Sequence, residues 1–215
     1  MSVVGECMSA VRDPDQTRNR LIAAAFDEIY ENGFQGMRVE EILKRTGLKK
    51  GALYHHFASK LDIAYAVMDE YIADMVENTW IKPIANYDDP IEGISNVVLN
   101  IGQGGGDYDY IKNGCPLNNL AQEMSALDEG FRHRIHNLLQ LWISAFDQSL
   151  QRGKETGYID KHVDTAIAST FIVAILEGCI SLLKASQDKN TLKSCWLGLE
   201  SYLASLRPTS VKSKA

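Results

Sequence analysis

The chain has 215 residues, 45% of them hydrophobic and 23% charged, with a formal net charge of −6. That is the balance of a globular protein of one or two domains with enough chain to bury a core. No run approaches the roughly 18 apolar residues needed to span a bilayer, and residues 1–14 lack a signal-peptide core. A cytoplasmic address and no membrane partner are therefore expected.

Five prolines and long apolar periodicities point to an all-α chain. Residues 1–14 are polar and read as a flexible tail. A first helix is predicted from about Asp15 to Asn32, with Ile22, Ala25, Phe26 and Ile29 on one face and Gly33 ending it. From Val39 to Lys60 the chain reads VEEILKRTGLKKGALYHHFASK. Val39, Ile42 and Leu43 make one apolar face, Leu48, Leu53 and Phe57 another, with a tight turn at Thr46-Gly47 between them. Helical spacing on both sides of a glycine turn is the pattern of a helix-turn-helix.

The second of these helices turns Lys49, Lys50, Tyr54, His55 and Lys60 outward, donors and an aromatic of the kind that meet phosphates and base edges in a major groove. The acidic total does not oppose this. Residues 1–60 carry nine Lys and Arg against eight Asp and Glu, a net of +1, while the remainder holds thirteen against twenty, a net of −7. Salt screens distant charge beyond about 10 Å, so the local surface governs phosphate contact.

A fourth helix is predicted from Ser59 or Lys60 to about Trp80, with Leu61, Ala64, Met68, Tyr71, Ile72 and Met75 at helical steps. Lys82-Pro83 and Asp89-Pro90 should break the chain. A fifth runs from Pro90 to Gly102, before GQGGGDYDYIKNG. The triple glycine there is read as a flexible loop, because no Gly-Lys-Ser/Thr follows and Asp107 and Asp109 would repel phosphate. Pro116 opens a helix to Ser125, and a long one follows from Asp128 to Thr156, ended by Gly157. Two last helices, about Val163 to Ser186 and Thr191 to Leu206, are apolar over most of their circumference, which calls for burial on more than one side, and in a small protein the second side is often a partner chain.

The segment GLKKGALYHHFASKLDIAYAV resembles the signature of the tetracycline-repressor (TetR) family of one-component transcriptional regulators, and TRNRLIAAAFDEIYENGFQGMRVEEILKRTG fits the same family's first helix. The likeness covers Thr17 to about Tyr71. Arg38 departs from it, standing where Ser or Thr more often caps the second helix.

The resemblance implies residues 15–60 as a DNA-binding domain, residues 61–207 as an effector-binding and dimerisation domain, and residues 208–215 as a tail. It implies a homodimer joined through the last two helices, a palindromic double-stranded DNA operator, and a small-molecule or electrophile effector that tilts the fourth helix and releases the DNA. No cofactor is expected. Candidate DNA contacts are Lys49, Lys50, Gly51, Ala52, Tyr54, His55 and Lys60, with Arg18, Arg38 and Arg45 beside them. Gly51 would let backbone N–H groups approach a phosphate, and Ala52 and His55 would read base edges. Candidate effector-pocket residues are Tyr71, Met75, Tyr110, Met124, Trp142, Phe146 and Phe171, against the alternative that each is plain core.

Cys7, Cys115, Cys179 and Cys195 show neither a C-x-x-C pair nor zinc spacing, so reduced thiols are expected. Cys115 precedes Pro116 and should adjoin a helix N-cap, where the helix dipole lowers a thiol's pKa. Its Gly-Cys setting is similar to that in electrophile-sensing members of the N-ethylmaleimide-repressor type, with Lys184 a candidate cation beside the thiolate. The alternative is an inert buried thiol. Cys179 and Cys195 are read as core or interface, and Cys7 as incidental. His133 and His136 near Glu129 lack further ligands and are read as a surface stripe rather than a metal site. The leading reading is a DNA-binding repressor, not an enzyme. The alternatives are a cysteine-nucleophile enzyme using Cys115, for which no oxyanion site or fixed histidine is evident, and an effector-independent DNA-binding dimer.

Overall fold

The computed structural model describes residues 14–102 and 109–209. Cys7, nearly all of the N-terminal tail, most of the C-terminal tail and the triple glycine lie outside the described residues. Those described are helices and short connections, with no strand among them. The chain divides into two compact units, Met1–Val67 and Met68–Ala215. The division falls after Val67 rather than at Lys60, because Ile63, Ala64 and Ala66 are buried and their helix packs on the first one.

In the first unit α1 (Pro14–Gly36) carries Leu21, Ile22, Ala25, Phe26 and Ile29 inward. Gly33, at φ 73, interrupts its helical geometry; a side chain there would be strained, and the last turn re-forms beyond it. The helix-turn-helix consists of α2 (Val39–Thr46) and α3 (Lys50–His56). Gly47 caps α2 in the left-handed region at φ 68, the conformation glycine adopts without cost. Thr46 is buried, its hydroxyl donating to the Ile42 carbonyl at 2.9 Å, and its own carbonyl accepts from Arg20 Nη2 at 2.6 Å.

Arg38 gives α2 no side-chain cap. Glu28 of α1 instead accepts the backbone N–H of the cap residue itself. This carboxylate is 1% exposed; Oε1 accepts the Arg38 backbone N–H at 3.4 Å and Oε2 accepts Arg45 Nη2 at 3.3 Å. Arg45 continues to Glu31 at 2.5 Å and Asp27 at 3.9 Å. Ser59 caps α4 (Lys60–Ala66), accepting from the Asp62 N–H at 3.1 Å.

Beyond Ala66 the helix continues past both Trp80 and Lys82-Pro83, through a π-helical stretch Val67–Ile72, α5 (Ala73–Val76), a second π-helical stretch Glu77–Ile81 and α6 (Lys82–Ala85). Pro83 does not break it. The wider π turn just upstream relieves the clash a proline ring makes with the carbonyl one turn earlier. Within the second unit Met68, Ile72, Val76, Trp80 and Ile84 are all buried, every fourth residue. Asp89 then accepts from the Ile91 and Glu92 N–H groups and opens α7 (Pro90–Gly102), as the Asp89-Pro90 break predicts.

α8 (Pro116–Met124), α9 (Glu129–Thr156), α10 (Thr165–Ser186) and α11 (Lys189–Ser205) complete the second unit. Asp128, Asp164 and Asp188 each cap a helix with the side chain, and Gly157, at φ 85, ends α9. α9 packs on α8 and α10, and α10 packs also on α11. α10 corrects one expectation. By length and composition it is apolar enough to cross a membrane. In this fold Ala168, Ile172, Val173, Leu176, Ile180 and Leu183 are buried, which accounts for one side of it, while Ile167, Phe171 and Leu182 stay exposed on the other.

Arg45→Ala leaves the Glu28 carboxylate buried without its cation and should destabilise the first unit by about 1–3 kcal/mol. Urea unfolding followed by circular dichroism measures this; a change below about 0.5 kcal/mol would remove Glu28–Arg45 as the anchor of α2.

Candidate nucleic-acid interface and regulatory core

α3 is seven residues long and anchors itself with one buried side chain, Leu53, followed by buried Phe57 just past its end. The rest of the helix is available to solvent. Lys49, Lys50, Gly51, Tyr54 and His55 are exposed together, and Ala52 is half-buried beside them. Lys50 Nζ lies 5.7 Å from the Tyr54 ring centroid, and the rings of His55 and His56 meet edge-on at 5.1 Å. A Cβ added at Gly51 would meet nothing within 4 Å, so the fold does not require glycine there.

The other basic candidates are placed differently. Arg18 is half-buried with its guanidinium 5.5 Å from the Phe57 ring centroid. Arg38 has a side chain 67% exposed. Arg45 is engaged by the three α1 carboxylates, and its hydrogen bond to Glu31 raises its pKa further. Lys60 donates to the Gln35 carbonyl at 3.1 Å with its ammonium 4.9 Å over the Phe34 ring. Arg45 and Lys60 are thus both tied to α1.

In the second unit Trp80 and Trp142 stack at 4.6 Å, and Phe146 meets Trp142 edge-on at 6.0 Å. Both indole N–H groups are buried without a hydrogen-bond partner. Met75, Tyr110 and Met124 are buried as well, and Tyr71 is half-buried. Phe171 is a correction. It is 48% exposed on the outer face of α10, against Tyr202 of α11 at 4.8 Å. An aromatic at helical spacing marks a face without saying which way that face points.

Cys115 is the N-cap residue of α8, with Pro116 in the first turn. The structure agrees with the alternative reading, a buried thiol, rather than with an exposed thiolate. The thiol is 2% exposed and donates to Glu177 Oε1 at 3.2 Å. Backbone N–H groups of Asn118 and Leu117 favour the thiolate, but burial and the Glu177 charge outweigh them and push the thiol well above its ordinary range. Lys184 does not supply the cation; its Nζ donates to Asn119 Oδ1 at 2.9 Å while its stem lies over Gly114, where a Cβ would come within 2.8 Å of Cδ.

Glu177 escaped sequence reasoning, although a lone acid within TFIVAILEGCISLL was a signal for it. It is 9% exposed, its Oε2 has no hydrogen-bond partner, and burial pushes its pKa up to about 7. The His133–Glu129 contact of 3.6 Å is a surface pair, and no group of three metal-ligating side chains occurs among the described residues.

Residues 21–67 match the family description "Bacterial regulatory proteins, tetR family", and residues 103–198 match "Tetracyclin repressor-like, C-terminal domain". The chain belongs to the tetracycline-repressor family. A helix-turn-helix transcriptional regulator of Lactococcus lactis is 29% identical over 83% of this chain and 88% of its own length. The transcriptional repressor DhaR of a Mycobacterium species is 23% identical over 81% and 86%. The crystal structure of a TetR regulator from Chloroflexus aurantiacus superposes with a TM-score of 0.77, at 26% identity over 89% of this chain and 96% of that one. This TetR-family protein is therefore a DNA-binding transcriptional regulator and not an enzyme, which sets aside the Cys115-nucleophile alternative.

The Glu177 carboxyl generates a pH prediction. Its folded pKa, about 7, lies above the ordinary 4.5, so the folded state holds the proton more tightly than the unfolded chain. Stability should fall as pH rises from about 4.5 to about 7 and level off above that, by up to about 3 kcal/mol. Glu177→Gln should remove that fall. Urea unfolding of both proteins at pH 5 and pH 8 checks it, and equal pH dependence would show Glu177 to be ionised in the fold.

Proposed function

We propose that this regulator is a homodimeric repressor that holds a palindromic double-stranded DNA operator through α3 and releases it when a small molecule occupies the interior of the second unit. The observation that carries the DNA half is the joint exposure of Lys49, Lys50, Gly51, Tyr54 and His55 on one short helix whose apolar side is anchored by Leu53. Lysines and tyrosine at such a surface position the protein on phosphates, and His55 with Ala52 faces base edges. One short helix contacts too few base pairs for useful specificity, which favours a two-fold dimer on half-sites about one helical turn apart.

The dimer reading rests on an uncovered apolar face. Ile167, Phe171 and Leu182 of α10 and Leu197 of α11 are exposed, and Gly178 and Gly198 leave open space where a partner helix can approach closely. A contiguous apolar face of that kind marks an interaction surface. Ile167→Asp combined with Leu182→Asp should convert the protein to monomers in sedimentation velocity while leaving its circular dichroism unchanged. A variant that stays dimeric would place the contact elsewhere.

The effector reading is supported by three buried polar atoms left without partners: Trp80 Nε1, Trp142 Nε1 and Glu177 Oε2. Buried groups of this type carry a desolvation cost of about 1–3 kcal/mol each until something satisfies them. A molecule offering an acceptor to an indole N–H or a donor to the carboxyl would do so. Because Cys115 is a buried thiol bonded to Glu177, release by an electrophile would require the pair to separate first.

A gel shift against DNA flanking the chain's own gene tests the whole reading. Lys49→Ala should weaken operator and bulk DNA alike and lower the salt slope by about one unit. Gly51→Ala should leave stability unchanged or higher while weakening binding if backbone approaches phosphate there. A Lys60→Ala slope equal to wild type would assign Lys60 to Gln35 rather than to DNA. No specific shift across a genomic DNA library would reject the repressor reading.

A further inference from the structure

α10 and α11 form an antiparallel pair joined at Gln187 and Asp188, where Asp188 caps α11 and Gln187 takes φ 53. The edge-on contact between Phe171 and Tyr202, with centroids 4.8 Å apart, sets the register of the two helices. From Phe171 it is eight residues to Cys179, and from Tyr202 it is seven back to Cys195. At 1.5 Å per residue these are advances of about 12 and 10.5 Å, which bring the two cysteines level. The Cys195 thiol is close enough to Cys179 to contribute to the rise in its pKa. Both are half-buried and neither is in a disulfide.

We propose that Cys179 and Cys195 are a modification site, a dithiol that closes to an intrachain disulfide when a hydroperoxide oxidises it. In the first step one sulfur attacks the terminal oxygen of ROOH; the O–O bond breaks, a sulfenic acid forms and ROH leaves. In the second the other sulfur attacks that sulfenic sulfur, the S–O bond breaks and water leaves, so that two thiols and one hydroperoxide become one disulfide, one alcohol and one water. Cys179 is held back as the first nucleophile, because burial and the adjacent Cys195 thiol push it up to about 12. Cys195 attacks the peroxide first, and Cys179 supplies the resolving sulfur. Cys115 does not compete, being almost fully buried and bonded to Glu177. The product ties α10 to α11 two turns from their connection. This site is independent of the operator and effector reading above.

The test uses the full-length protein treated with tert-butyl hydroperoxide, alkylated with iodoacetamide, digested with trypsin without reduction and read by mass spectrometry. The expected result is one linked pair of peptides carrying Cys179 and Cys195, about 2 Da lighter than their sum, with alkylation of both residues lost together and restored by dithiothreitol. Cys179→Ser should prevent the link and leave Cys195 as a sulfenic acid trapped by dimedone. Continued alkylation of both cysteines after oxidation would overturn the proposal. So would separate sulfinic acids at the two positions, or a chain-to-chain link visible as a doubled mass on a non-reducing gel.

Discussion

The DNA-reading unit depends on one buried carboxylate. Glu28 lies inside α1, yet its two oxygens serve α2, one accepting the Arg38 backbone N–H that an uncapped helix would leave orphaned and the other holding Arg45. A nearly inaccessible charge is stable only while paired. The pairing therefore ties the first helix of the helix-turn-helix to α1, and the Thr46–Gly47 turn carries that restraint to α3. Lys50 and Tyr54 are exposed on a helix of seven residues, too short to be stable alone. It holds its place because Leu53 and Phe57 are buried and because the turn before it is fixed by Arg20 on the Thr46 carbonyl.

The second unit follows the opposite logic. Its core contains polar atoms that the fold leaves unsatisfied, on the stacked Trp80 and Trp142 and on Glu177. Each such atom carries a desolvation cost that the packing around it has to offset. The Cys115–Glu177 hydrogen bond links the start of α8 to the middle of α10. A thiol is a weak donor, and the second oxygen of the carboxyl beside it has no partner among the described residues.

Much of this was legible in the sequence because it is written locally. The Thr46-Gly47 turn, the helix starts near Ser59 and Asp128, Pro116 at the start of α8 and Gly157 after α9 each depend on residues within four positions of one another. Contacts between distant residues were not legible. Cys115 and Glu177 are 62 positions apart, so the helix-end argument alone predicted a reactive thiolate, and the partner that reverses the sign was out of sight. Nothing near Arg45 in the sequence revealed that α1 offers it Asp27, Glu28 and Glu31. Phe171 was assigned to the interior, because periodicity identifies a stripe but not whether core or solvent lies beyond it. Pro83 was read as a stop because the rule assumes the hydrogen bonding of an α-helix, and the turn before it is π-helical.

That π-helical geometry explains a pattern in the sequence. Met68, Ile72, Val76, Trp80 and Ile84 repeat every four residues, whereas an ideal α-helix turns once in 3.6. In a regular helix each step of four would overshoot by about 40°, and the apolar stripe would wind some 160° around the axis between Met68 and Ile84. The two wide turns absorb the excess, keeping the stripe on one side of the rod.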